Sequence, residues 1–141
     1  MGVRVRVRIC SDSRCVETSA LVNSGFETTD PEIVVPPALA EALGLEASNE
    51  IAAYTTAGGG SVSAVRASRS VVVELLLDDR EGVSAHAVPS IMPGEEEVII
   101  SDRLAHELKI VILDPFEGLW CLRDELGAKV RRSASPELWR A

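Results

Sequence analysis

From Val3 to Ile9 the chain reads Val-Arg-Val-Arg-Val-Arg-Ile, an unbroken alternation of aliphatic and charged residues. A period of two is the side-chain period of an extended strand, so Val3, Val5, Val7 and Ile9 share one face and Arg4, Arg6 and Arg8 the other. A helix would scatter the arginines around its axis. The segment must therefore be a strand with one face on a core and the other toward water. The polar turn Ser11-Asp12-Ser13-Arg14 leads into a second strand-like run, Cys15 to Val22, which ends at the turn residues Asn23-Ser24-Gly25. Further pairs of runs follow: Ile51–Tyr54 with Val62–Arg66 around a glycine-rich tip, Ser70–Leu77 with Gly82–Pro89, and Ile110–Leu113 with Leu119–Leu122. Val98-Ile99-Ile100 is a further short strand. Two brief helices interrupt them. Pro36-Pro37 opens one that runs through Leu39 and Leu43 to a stop at Gly44, and Ser101 caps one that runs to Leu108. Many short strands with closely spaced turn signals predict a mainly β barrel or sandwich.

Composition narrows the function classes. The 141 residues suit one domain, and 14 basic against 22 acidic residues leave a formal charge of −8, which repels a phosphate backbone. Nucleic acid is not an expected partner. Charges break every apolar run well short of the roughly 20 residues a spanning helix needs, so no membrane association is expected either. No charged segment followed by an apolar one opens the sequence, and the expected location is the cytoplasm. In that compartment the three cysteines, an odd number, read as reduced, small apolar residues, with a Cys10–Cys15 bridge across the first hairpin as the alternative. Cys121 reads as buried.

Most catalytic chemistry finds no support in the residues. His86 and His106 are the only histidines and stand far apart without zinc-type spacing, so no metal or other cofactor is expected. No Gly-x-Ser-x-Gly marks a nucleophile. Gly58-Gly59-Gly60 lacks the lysine and following helix of a phosphate loop and reads as a hairpin tip. Asn23-Ser24-Gly25, taken alone, reads as a turn in which asparagine and glycine accept unusual dihedrals.

The order of these pieces is more informative. Ala20-Leu21-Val22-Asn23-Ser24-Gly25, then Ile33-Val34-Val35-Pro36 and Leu39-Ala40-Glu41-Ala42-Leu43-Gly44-Leu45, resembles the retropepsin-like aspartic proteases, which carry Asp-Ser/Thr-Gly after two apolar residues and then a proline and Leu-Gly-Leu segment. Thr56-Ala57-Gly58-Gly59 with Val62 and Arg66 resembles the family's flap hairpin. Ile99-Ile100-Ser101-Asp102-Arg103-Leu104 resembles its second apolar motif, with Ile100 where the family has glycine. Asp114-Pro115 through Gly118 and Trp120 resembles its closing hairpin. The resemblance spans about residues 1–125.

It implies a closed retropepsin-like β-barrel over residues 1–126 and a homodimer with its cleft on the two-fold axis, while the polar, basic run from Gly127 reads as a C-terminal tail over 127–141. The implied site is Asn23, Ser24 and Gly25, with Thr56, Ala57, Gly58, Gly59 and Gly60 forming the flap above it. Ser24 would bond across the axis and Gly25 would permit close backbone approach. In the family one aspartate comes from each subunit, and the pair shares a proton and polarises a water. Asn23 stands at that aspartate's position. An amide has the shape of a carboxylate and none of its proton chemistry near neutrality. The expectation is a non-catalytic homodimer whose cleft takes an extended peptide. The alternative is an active aspartic endopeptidase, with Asn23 replacing a native aspartate or with Glu27 or Asp30 supplying the carboxylate. Phe26 and Glu27, where the family has a small residue, would narrow the cleft.

Overall fold

A computed structural model of the protein describes residues 2–56 and 58–140. The alternating segment is strand β1 (Val3–Ser11), and it pairs antiparallel with β2 (Arg14–Val22) through the two-residue turn Asp12-Ser13. Asp12 takes the left-handed conformation at φ 52°, which aspartate accepts more readily than most residues. Val3, Val5, Val7 and Ile9 are buried. At ~1.5–3 kcal/mol for each buried aliphatic group, this face anchors the core. The register sets Cys10 directly opposite Cys15, and the two are joined as a disulfide. The reading of both as reduced thiols is thereby corrected: composition gave an argument about compartment, whereas the hairpin puts the two sulfurs side by side. Cys121 is free and buried.

The remaining strands close on this hairpin. They are β3 (Glu32–Val35), β4 (Ala47–Thr55), β5 (Ser61–Ala67), β6 (Val71–Leu75), β7 (Val83–Ile91) and β8 (Val98–Ile100). Neighbours run β3-β8-β2-β1-β6-β7, and β7 returns to β3, giving a closed six-stranded barrel. Closure leaves these six strands without an open edge. The β4–β5 hairpin lies outside the ring. It joins through β5 and β7, leaving β4 as the edge of the sheet.

Helix α1 (Pro37–Leu43) starts with proline in its first turn, where no N–H is required, and ends at Gly44 in the left-handed conformation. Helix α2 (Asp102–Glu107) is capped by the Ser101 hydroxyl, which accepts from the Leu104 N–H at 3.1 Å. Leu39, Leu43, Leu104 and Leu108 all lie in the core. The fold is thus mainly β, a closed barrel with two short helices.

A separate three-stranded sheet is formed by β9 (Ile110–Asp114), β10 (Leu119–Leu122) and β11 (Arg131–Arg132). Residues 127–140 therefore dock. Trp139 packs against the core, its indole N–H donates to Thr18 Oγ1 at 2.9 Å, and its backbone N–H donates to the Glu96 carbonyl at 2.7 Å. Arg131 lies against the Trp120 ring, 5.7 Å from its centroid, and pairs with Glu125 and Asp79. Among the described residues no helix is long and apolar enough to cross a membrane.

Candidate functional site

The loop between β2 and β3 begins where the parallel β2–β8 pairing ends. The Asn23 N–H donates to the Ile100 carbonyl at 3.1 Å and so extends that ladder by one residue. Three bonds then shape the turn. Asn23 Oδ1 accepts from the Gly25 N–H at 3.0 Å, the Asn23 carbonyl accepts from the Phe26 N–H at 3.1 Å, and the Phe26 carbonyl accepts from the Asp102 N–H at 2.9 Å. Asp102 Oδ1 in turn accepts from the Thr28 N–H at 3.0 Å. The first residue of α2 therefore holds the far side of the loop, which binds the Asn23 segment to the Ile99–Leu104 segment in space.

Opposite this turn stands the stem of the β4–β5 hairpin. A cleft of about 660 Å³ lies between them, with Asn23, Gly25 and Phe26 on one wall, Tyr54, Thr55, Thr56 and Val62 on the other, and Val34 and Ile99 beneath. Met92, Glu27 and Glu95 complete its rim. The Phe26 and Tyr54 rings meet edge to face with centroids 5.0 Å apart, so Phe26 does occupy cleft space that a small residue would leave open. Asn23 and Gly25 are exposed to this cleft. Ser24 is also exposed, at the turn, outside the cleft wall.

Of the hairpin-tip residues, Thr56 reaches the cleft and Gly58, Gly59 and Gly60 do not; Ala57 lies outside the described residues. The tip is a tight turn in which the Thr56 N–H donates to the Gly60 carbonyl at 2.8 Å and the Gly59 N–H to the Thr56 carbonyl at 3.0 Å. Gly59 has φ +83°, a conformation that disfavours any larger residue.

The sequence reading missed the group that fixes the hairpin stem. Glu32 is buried beneath it, and Glu32 Oε1 accepts from the Tyr54 hydroxyl at 2.8 Å and from Arg66 Nη1 at 3.0 Å. Tyr54 Oη also lies 2.9 Å from Ser90 Oγ. Four strands, β3, β4, β5 and β7, thus share one polar knot. Burial pushes the Tyr54 hydroxyl above its ordinary value and keeps it a neutral donor. The available signal was a lone carboxylate abutting the apolar run Ile33-Val34-Val35, since a charge so placed needs buried partners.

A second cavity, of about 440 Å³, is lined by Arg6, Glu17, Asp79, Lys129 and Arg131 among others. Its cations are already spent on internal pairs: Arg131 and Lys129 with Asp79, and Arg6 with Glu137. It offers less unmatched bonding capacity than the cleft at Asn23. His86 and His106 are both exposed, and among the described residues no three histidine, cysteine or carboxylate groups converge as metal ligands would. Comparison of the sequence with protein-family models and with curated proteins finds no match in either.

Proposed function

We propose that the protein is a retropepsin-like homodimer whose protease site carries an amide in place of the carboxylate, and that its cleft binds an extended peptide without cleaving it. One observation carries this reading: the Asn23–Gly25 turn and the Tyr54–Thr56 stem, far apart in sequence, line the same cleft over an apolar floor. That juxtaposition is what the resemblance requires of a catalytic-type loop and a flap. A loop that supplies half of a symmetric site has meaning only when paired, which makes the dimer isologous, with the two Asn23 amides near the axis. The edge strand β4 adds a row of backbone groups beside the cleft on which an extended peptide pairs as a further strand.

The chemistry follows from position 23. An aspartate pair holds one proton between two carboxylates and uses it to activate water. Two amides hydrogen-bond a peptide carbonyl or N–H and move no proton. Sedimentation at micromolar concentration tests the reading, with a dimer expected and a species that stays monomeric counting against it. The Asn23→Asp dimer is expected to cleave peptides at acid to neutral pH, and the unchanged protein to bind them intact.

A second reading is favoured by Glu27, which lines the same cleft, whereas Asp30 does not. If Glu27 serves as the carboxylate of an active endopeptidase, the unchanged protein cleaves peptides and Glu27→Gln abolishes the cleavage.

A further inference from the structure

Position 23 also carries an intrinsic reaction of its own. The sequence holds only two asparagines, Asn23 and Asn49, and no glutamine. Asn49 is followed by the bulky, charged Glu50. Asn23 is followed by Ser24, whose small side chain obstructs attack of its own backbone nitrogen on the asparagine amide less than that of Glu50 does. The local geometry adds an electrophile and a nucleophile. The Gly25 N–H donates to Asn23 Oδ1 at 3.0 Å, which polarises the Cγ–Oδ1 bond and supports the negative charge that gathers on that oxygen during addition. The Ser24 N–H donates to no described residue, and Asn23 and Ser24 are both exposed to water.

We propose that Asn23 is a self-modifying site that converts in place to a carboxylate. The deprotonated Ser24 nitrogen bonds to Asn23 Cγ, the Cγ–Nδ2 bond breaks, and Nδ2 leaves as ammonia after taking up a proton, closing a five-membered succinimide. Solvent water then adds to one of the two imide carbonyls. Breaking the bond from the imide nitrogen to the backbone carbonyl carbon of residue 23 gives isoaspartate, and breaking the bond from that nitrogen to Cγ gives aspartate; no electrons are transferred. The aspartate product keeps the Gly25 N–H as its hydrogen-bond donor. In the dimer proposed above, it would be the carboxylate that the site lacks, so the protein would acquire proton chemistry with age. Only this last consequence rests on the proposed function.

The test is peptide mapping by mass spectrometry of the full-length protein after incubation in mildly alkaline buffer, with peptidase activity followed in parallel. The peptide holding Asn23 is expected to lose ammonia and gain water at least about tenfold faster than the peptide holding Asn49, and Ser24→Val, whose branched side group crowds the attacking nitrogen, to slow it about tenfold. Equal rates at the two asparagines would overturn the proposal without any variant being made. So would conversion in the folded protein more than about tenfold slower than in urea, because the turn would then be protecting the amide. Conversion to aspartate without peptidase activity in a persisting dimer would uphold the modification and overturn its catalytic consequence.

Discussion

The β1–β2 and β4–β5 hairpins are built from strands of similar length and are held in opposite ways. In the first, one face of β1 lies wholly in the core, the arginines of its other face pair with Glu97, Glu137, Glu17 and Glu74, and a disulfide closes the end. In the second, β4 has one neighbour, Ile51 is 70% exposed, and the tip carries three glycines. Among its described residues only Ala52 and Ala64 are buried, and the Glu32 knot and the β5–β7 pairing anchor its stem. Buried area makes the first hairpin structure, and its lack in the second suits the covering role proposed for it.

Substitution at matched aliphatic positions should expose the contrast most sharply. Ile9→Ala empties a fully buried site and is expected to cost ~2–5 kcal/mol in denaturant unfolding, whereas Ile51→Ala should stay within about 0.5 kcal/mol of the parent. Equal costs would mean that the second hairpin is packed by something beyond this polypeptide. Next in size, replacing Cys10 and Cys15 by serine opens a short loop and should remove ~2 kcal/mol by the loop-entropy argument, with no effect on peptide binding. Glu32→Ala should act the other way round. It strips the Tyr54 hydroxyl and Arg66 of their shared acceptor, costs ~1–3 kcal/mol, and should weaken peptide binding as the stem loses its anchor.

Much of the first hairpin was legible because its pattern is local. Alternation from Val3 to Ile9 names the strand, its faces and its register, and the turn residues name the reversal. The helix start at Pro37 and the caps at Gly44 and Ser101 are equally local signals. What escaped depends, the Cys10–Cys15 bridge apart, on contacts made in space rather than on a local pattern. The Cys10–Cys15 bridge turned on a redox argument that the sequence could not settle. The Glu32–Tyr54–Arg66–Ser90 knot joins four strands, and nothing near Tyr54 in the sequence points to Glu32. Docking of the C-terminal residues depends on Arg131 meeting Glu125 and Asp79 and on Trp139 meeting Thr18. At the candidate site, the turn at Asn23-Ser24-Gly25 was legible from its residue types. The approach of Met92 and Glu95 to it was not, since those residues carry no spacing that a local pattern can mark.

The last effect lies at Glu125, in the turn that follows β10. Two hydrogen bonds from Arg131, with others from Arg80 and the Leu122 N–H, hold the Glu125 carboxyl down to about 2, below the ordinary glutamate value. A depressed folded-state value stabilises the fold while the carboxylate is ionised, so this contribution is complete above the ordinary glutamate value and is lost as pH falls toward about 2. Glu125→Gln should therefore flatten the fall in Tm across that acid window and leave the proposed peptide binding unchanged.

The central claim, that the Asn23 turns of two protomers meet beneath their hairpins, is open to a single cross-linking measurement on Asn23→Cys. Cys10 and Cys15 are already paired and Cys121 is buried, so the introduced thiol would be the accessible one. The account predicts that mild oxidation links this variant into a covalent dimer while the Ile51→Cys variant, on the exposed outer hairpin, stays unlinked at the same concentration. An Asn23→Cys protein that remains monomeric with its thiol fully reactive would contradict it.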